Sequence, residues 1–142
     1  MLESAVSVGR GTDTPFEVVG APYVDDLKLA KELNHAKLPG VAFIAISFTP
    51  KASVHKGEPC RGVNILLTDR DRCNVVDVGI EIARVLYRFY PTNFPIEKIE
   101  HLLLHPPTLE AIKAGKSLGE IHALWKADLE DFQKRRAKFL IY

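Results

Sequence analysis

The run Val41-Ala42-Phe43-Ile44-Ala45-Ile46-Ser47-Phe48 constrains this chain more than any other segment, and it stops abruptly at Thr49-Pro50. A strand with one wet face alternates apolar and polar residues; this one is apolar on both faces, which predicts a central strand covered on both sides. Covering it requires a real core. With 142 residues, 46% of them apolar, the chain can supply one ordinary domain and has no need of a second.

The neighbouring segments supply the covering elements. Val6 and Val8 alternate with Ser7 in a short β-like opening that runs into the glycine-rich loop Gly9 to Phe16. Asp25 or Asp26 can cap a helix carrying Leu27, Ala30 and Leu33 on one face, ended by Leu38-Pro39-Gly40. Val63, Ile65 and Leu67 alternate with Asn64, Leu66 and Thr68 as a second long strand before the turn Asp69-Arg70-Asp71-Arg72. Val78, Ile82, Val85, Leu86 and Phe89 have helical spacing, and Ile80, Ala83 and Tyr87 add a second row, so this helix is expected deep in the core. Thr108 can start a short helix closed by Gly115. Ser117-Leu118-Gly119-Glu120 is a capping-box sequence opening a helix to about Arg136, with Ile121, Trp125, Leu129 and Phe132 on its inner face. Phe139 to Tyr142 reads as a last strand or packed tail. The expected fold is a single α+β domain over residues 1–142, a small mixed sheet with three to four helices against it.

Charge and composition narrow the function classes. Nineteen basic against eighteen acidic residues leave a net charge of +1, without the positive field that nucleic-acid binding requires. No stretch approaches a membrane span, and the first residues lack a signal-peptide pattern. Cys60 and Cys73 have neither zinc-ribbon spacing nor companions for a disulfide framework, and read as buried thiols.

Most candidate chemistry fails on inspection. His101 and His105 are spaced i, i+4, but Leu102 stands where a zincin needs Glu and Pro106-Pro107 follows, so no metal is expected. Gly9-x-Gly11 lacks the third glycine of a dinucleotide loop, so no cofactor is expected either. Ser47 and Ser53 lie in no nucleophile elbow. What remains is Arg10, flanked by two glycines that let the backbone approach a ligand or another surface. Arginine binds a carboxylate in bidentate fashion, and Thr12 and Asp13 add short polar groups. The alternative is structural: Arg10 pairs with an internal acid and Phe16 plugs the core.

At this loop the sequence resembles a known family. Ser7-Val8-Gly9-Arg10-Gly11-Thr12-Asp13-Thr14-Pro15-Phe16, followed by Gly20-Ala21-Pro22, is similar to the opening motif of the C-terminal domain of the exo-β-N-acetylmuramidase (NamZ) family. Leu38-Pro39-Gly40-Val41, Ser47-Phe48-Thr49-Pro50, Cys60-Arg61-Gly62-Val63, Thr68-Asp69-Arg70 and Trp125-x-x-Asp128-Leu129-x-x-Phe132 resemble later blocks in the same order. Two places depart: Ser53-Val54-His55 stands where Ser-Lys-Tyr is expected, and Ala5 where Asn is common.

The resemblance implies removal of terminal N-acetylmuramic acid from peptidoglycan fragments, outside the cytoplasmic membrane. It implies a Rossmann-like N-terminal domain bearing the catalytic carboxylate, with the active site in a cleft at the domain junction. Glycoside hydrolysis needs flanking acidic groups, and Asp13 and Asp69 sit in matching blocks that turn structure already explains. The isolated chain is therefore expected to be inactive. On this reading Arg10, Gly11, Thr12 and Thr49 line the sugar pocket or dock the catalytic domain, and the partners are that domain and a muropeptide. The alternatives are a stand-alone module binding muramic-acid sugars and a structural docking domain without ligand.

Overall fold

The computed structural model describes residues 5–141. Three antiparallel strands, β1 (Val18–Ala21), β2 (Val41–Phe48) and β3 (Cys60–Leu67), stand in the order β1-β3-β2. Five helices follow the same chain: α1 (Asp26–His35) between β1 and β2, then α2 (Val75–Phe89), α3 (Glu100–Leu103), α4 (Pro106–Lys113) and α5 (Leu118–Ala137) after β3. A 3-10 turn, Ile96–Ile99, leads into α3. The α+β class is the one expected. The sheet is antiparallel throughout rather than mixed, because only β1 to β2 is joined through a helix and those two strands never pair.

The doubly apolar strand is at the edge. β3 is central, pairing Val63 with both Val19 and Ala45. Its Gly62 permits this: a Cβ there would overlap the Val19 carbonyl and the Gly20 Cα, so a side chain would force β1 away. On the edge of β2, the Asn34 side chain from α1 donates to the Phe43 carbonyl at 2.7 Å and accepts from its N–H at 3.0 Å. That occupies one rung of an edge otherwise open to another strand. Val19, Ala21, Phe43 and Val63 pack into the core with α1 and α2. On the opposite face Val18 and Cys60 are buried, whereas Ile44 and Leu66 are about half exposed.

Local signals placed most helix ends. The Asp25 carboxylate accepts from Lys28 N–H, and the Asn74 side chain accepts from Val76 and Asp77 N–H. Ser117 and Glu120 form the full capping box, whose hydrogen bonds, aided by Lys116, hold the Glu120 carboxyl down to about 2. Gly115, at φ +70°, ends α4 with the paired bonds Gly115 N–H to Ile112 and Lys116 N–H to Ala111. The α4 cap itself is His105, whose Nδ1 accepts from Thr108 N–H, three residues earlier than the expected Thr108 start.

Two apolar assignments change. In α1 the buried face is Leu29, Ala30 and Leu33, while Leu27 is exposed. Leu27 lies two residues, about 200°, around the helix from Leu29. In α2 both rows are inside, Val78, Ile80, Ile82, Ala83, Val85 and Leu86 being buried as expected. Beyond Trp125, however, α5 leaves the body: Leu129 and Phe132 are half exposed, and Phe139 to Ile141 form no strand and are half exposed or more. Tyr142 lies outside the described residues.

Candidate functional site

The loop from Gly9 to Phe16 is a built structure. Ser7 bridges to Gly20 beside β1, then the backbone reverses and Phe16 N–H returns to the Val8 carbonyl at 2.7 Å. Gly9 and Gly11 take φ of +72° and +77°, a left-handed backbone that side chains resist. Both are also crowded. A Cβ on Gly9 would meet the Val18 side chain, and one on Gly11 would stand 2.8 Å from Lys51 Cβ.

Thr12 fixes the loop from within. Its hydroxyl donates to the Gly9 carbonyl at 2.7 Å and accepts from Thr14 N–H at 3.3 Å. Arg10 is held at the tip, its carbonyl accepting from Lys51 N–H at 3.1 Å and Ala52 N–H at 3.2 Å. Its guanidinium lies over the Phe16 ring, 4.9 Å from the centroid. Phe16 does not plug the core: it is exposed and at φ +69°, so Arg10 and Phe16 form a cation-aromatic platform on the surface. Such a platform presents a planar donor set to a carboxylate and an apolar ring edge to a sugar.

The structure brings the two candidate regions together. Lys51 and Ala52, bonded to Arg10, follow Thr49 by two and three residues in the loop after β2, and Thr49 is exposed. That loop closes on itself through Gly57 N–H to the Pro50 carbonyl at 2.8 Å.

His55, at φ +60°, turns inward rather than to solvent. Its Nε2 lies 3.4 Å from the Ala5 carbonyl and its Nδ1 3.4 Å from Glu58. The Tyr23 hydroxyl donates to the same carbonyl at 2.9 Å, and its ring meets His55 and Tyr90 edge-on. Tyr90 in turn accepts from Asp25 N–H at 2.8 Å. Burial, reinforced by Tyr90 and Cys60, pushes the Tyr23 hydroxyl up to about 12; burial and then Glu58 push the Cys60 thiol up to about 11. This aromatic cluster escaped the sequence reading because 67 residues separate Tyr23 from Tyr90, and no local spacing marks it. Arg61, on a matching block, pairs with Asp26.

Other candidates are placed elsewhere. Asp69 closes its turn by accepting from Asp71 and Arg72 N–H. His101 is exposed on α3, whereas His105 caps α4. Among the described residues no three metal-ligating side chains come together, and no helix is long and apolar enough to cross a membrane.

The sequence profile described as "Exo-beta-N-acetylmuramidase NamZ, C-terminal" matches residues 1–142. The chain belongs to the NamZ C-terminal family. It is 37% identical over 140 residues to the peptidoglycan beta-N-acetylmuramidase NamZ of Bacillus subtilis (strain 168), a match covering 96% of this chain and 34% of that protein. The fold is that of a DUF1343 family protein from Bacteroides fragilis, whose crystal structure superposes with a TM-score of 0.72 at 24% identity, over 99% of this chain and 38% of the other. This NamZ-type domain thus spans about a third of the length of the curated relative it matches.

Proposed function

We propose that this domain forms part of the substrate cleft of a peptidoglycan exo-β-N-acetylmuramidase, with the catalytic carboxylate on a separate, Rossmann-like N-terminal domain. The observation that carries the reading is the Arg10 platform: a guanidinium stacked on Phe16 and raised on two left-handed glycines, beside the loop that bears Thr49. N-acetylmuramic acid carries a lactyl carboxylate, and a presented arginine is its chemical complement. Arg10 would contact that group and Thr49 the sugar, while Gly11 and Thr12 hold the loop. The natural ligand is a muropeptide or muramyl glycan, which places the protein outside the cytoplasmic membrane. No residue of this domain is assigned as the catalytic acid, and the isolated chain is expected not to hydrolyse muramides.

The test is an NMR titration of the labelled chain with N-acetylmuramic acid, with N-acetylglucosamine as the control lacking the lactyl group. Shifts at Gly9 to Phe16 confined to the muramic ligand, and lost in Arg10→Ala, support the reading. In a two-domain family protein the same substitution should raise KM about ten- to a hundredfold with kcat little changed, the effect of losing one charge-assisted contact. An unchanged KM overturns the role of Arg10.

A further inference from the structure

The apolar stripe of α5 begins in the core and continues past it. Ile121 is fully buried, and the half-buried Trp125 is anchored by Nε1–H donating to Thr108 Oγ1 at 2.7 Å. Leu129 and Phe132 extend the same helix face at 49% and 51% exposure, and Phe139, Leu140 and Ile141 follow it into solvent. Asp128, Glu130, Asp131 and Lys134 to Arg136 make the rest of this segment strongly charged, so it is the stripe and not the helix as a whole that avoids water.

A groove of about 420 Å³ opens at the root of the stripe, lined by Asn74, His122, Trp125 and Leu129, with Gly119 adding no side chain to fill it. His122 ties its two walls together through a 2.6 Å bond to Asp77 on α2. Val75 and Val76, directly after Asn74, are exposed in the first turn of α2. One apolar surface therefore straddles a groove between two rigid helices, a concentration of exposed apolar groups that marks an interface.

We infer that this surface seats the remainder of a full-length family protein, the larger part of the chain that lies outside the matched region. The inference rests on the reading that a further domain accompanies this one, and adds where that domain docks. Relatives extend well beyond the shared region, which covers 34% of one and 38% of another. Half-exposed side chains of this kind present on the order of a few hundred Å². That falls short of the roughly 800 Å² per partner of a stable association between separate molecules. A domain joined by the chain acts at about millimolar effective concentration and does not need that area.

The experiment joins this chain to the part of the Bacillus subtilis relative outside the matched region, in place of that relative's own matched part. Hydrogen exchange of peptides spanning residues 124–141 is then compared between the isolated chain and the chimera. Exchange is expected to slow at least tenfold on joining. Leu129→Glu with Phe132→Glu should abolish the slowing while leaving the isolated chain's melting temperature unchanged. Equal exchange in both proteins overturns the inference, whether protection moves to the open sheet face at Ile44 and Leu66 or is absent. A sedimenting dimer of the isolated chain that the double variant dissolves also overturns it and assigns the stripe to a second copy. The KM response to Arg10→Ala in the same chimera reports separately on the sugar-site reading, so one can fail while the other stands.

Discussion

Thr108 joins α4 to α5, and replacing it by Val measures what that link contributes. The residue is fully buried, and its hydroxyl lies 2.7 Å from Trp125 Nε1 on α5 and 2.7 Å from His105 Nδ1 at the α4 cap. Valine keeps the shape and removes the hydroxyl. The Thr108 backbone N–H still reaches His105 Nδ1 at 3.2 Å, so the cap survives. What is lost is two hydrogen bonds, at about 1 kcal/mol each, with the indole N–H left short of an acceptor. The expected destabilisation is about 2 kcal/mol. Urea unfolding checks it, followed by circular dichroism and by fluorescence of Trp125, the single tryptophan of the chain.

A double-mutant cycle with Trp125→Phe isolates the indole bond, because phenylalanine removes the donor that valine orphans. The cycle should return a coupling of about 1 kcal/mol, the double variant being less destabilised than the two single variants added together. A Thr108→Val protein within 0.5 kcal/mol of the parent, or strictly additive variants, would refute the reasoning.

Two further outcomes follow from backbone contact and from titration. Gly62→Ala should cost about 3 kcal/mol or more, because the new methyl meets main chain of β1 rather than a side chain that can swing away; a melting curve close to that of the parent refutes this. Folding raises the Cys60 thiol from 9.0 to about 11 and the Tyr23 hydroxyl from 10.0 to about 12, so their neutral forms are favoured in the folded state. Their stabilising contribution is intact below the ordinary values and lost as pH rises through the folded ones, which puts the decline at pH 9–11 for Cys60 and pH 10–12 for Tyr23. Tyr23→Phe should therefore flatten the fall in melting temperature between pH 10 and 12, and parallel curves for the two proteins would show that Tyr23 is not its source.

Features decided within a few residues were legible in the sequence. Asp25 and Ser117 cap helices because their side chains reach N–H groups three residues on, and Gly115 ends α4 because the left-handed backbone suits glycine. The two apolar rows of α2 predicted its burial for the same reason, helical period being local. The loop holding Arg10 stood out through its paired glycines, and the family blocks around it followed the same order along the chain.

Contacts between distant segments were decided only by the tertiary structure. Eight residues of β2 cannot state which neighbours they will have: the sheet set them at the edge, with Asn34 of α1 on the outer rung of Phe43. Phe16, a candidate core plug by residue type, is carried outward beneath Arg10 by the turn, and His55 is set against Tyr23 and the Ala5 carbonyl by segments far from it in the chain. The stripe from Leu129 to Ile141 shows the same division. Sequence determines that these side chains are apolar and that Leu129 and Phe132 share a helix face, but hydrophobic attraction has no direction, so only three-dimensional packing decides which surface covers them.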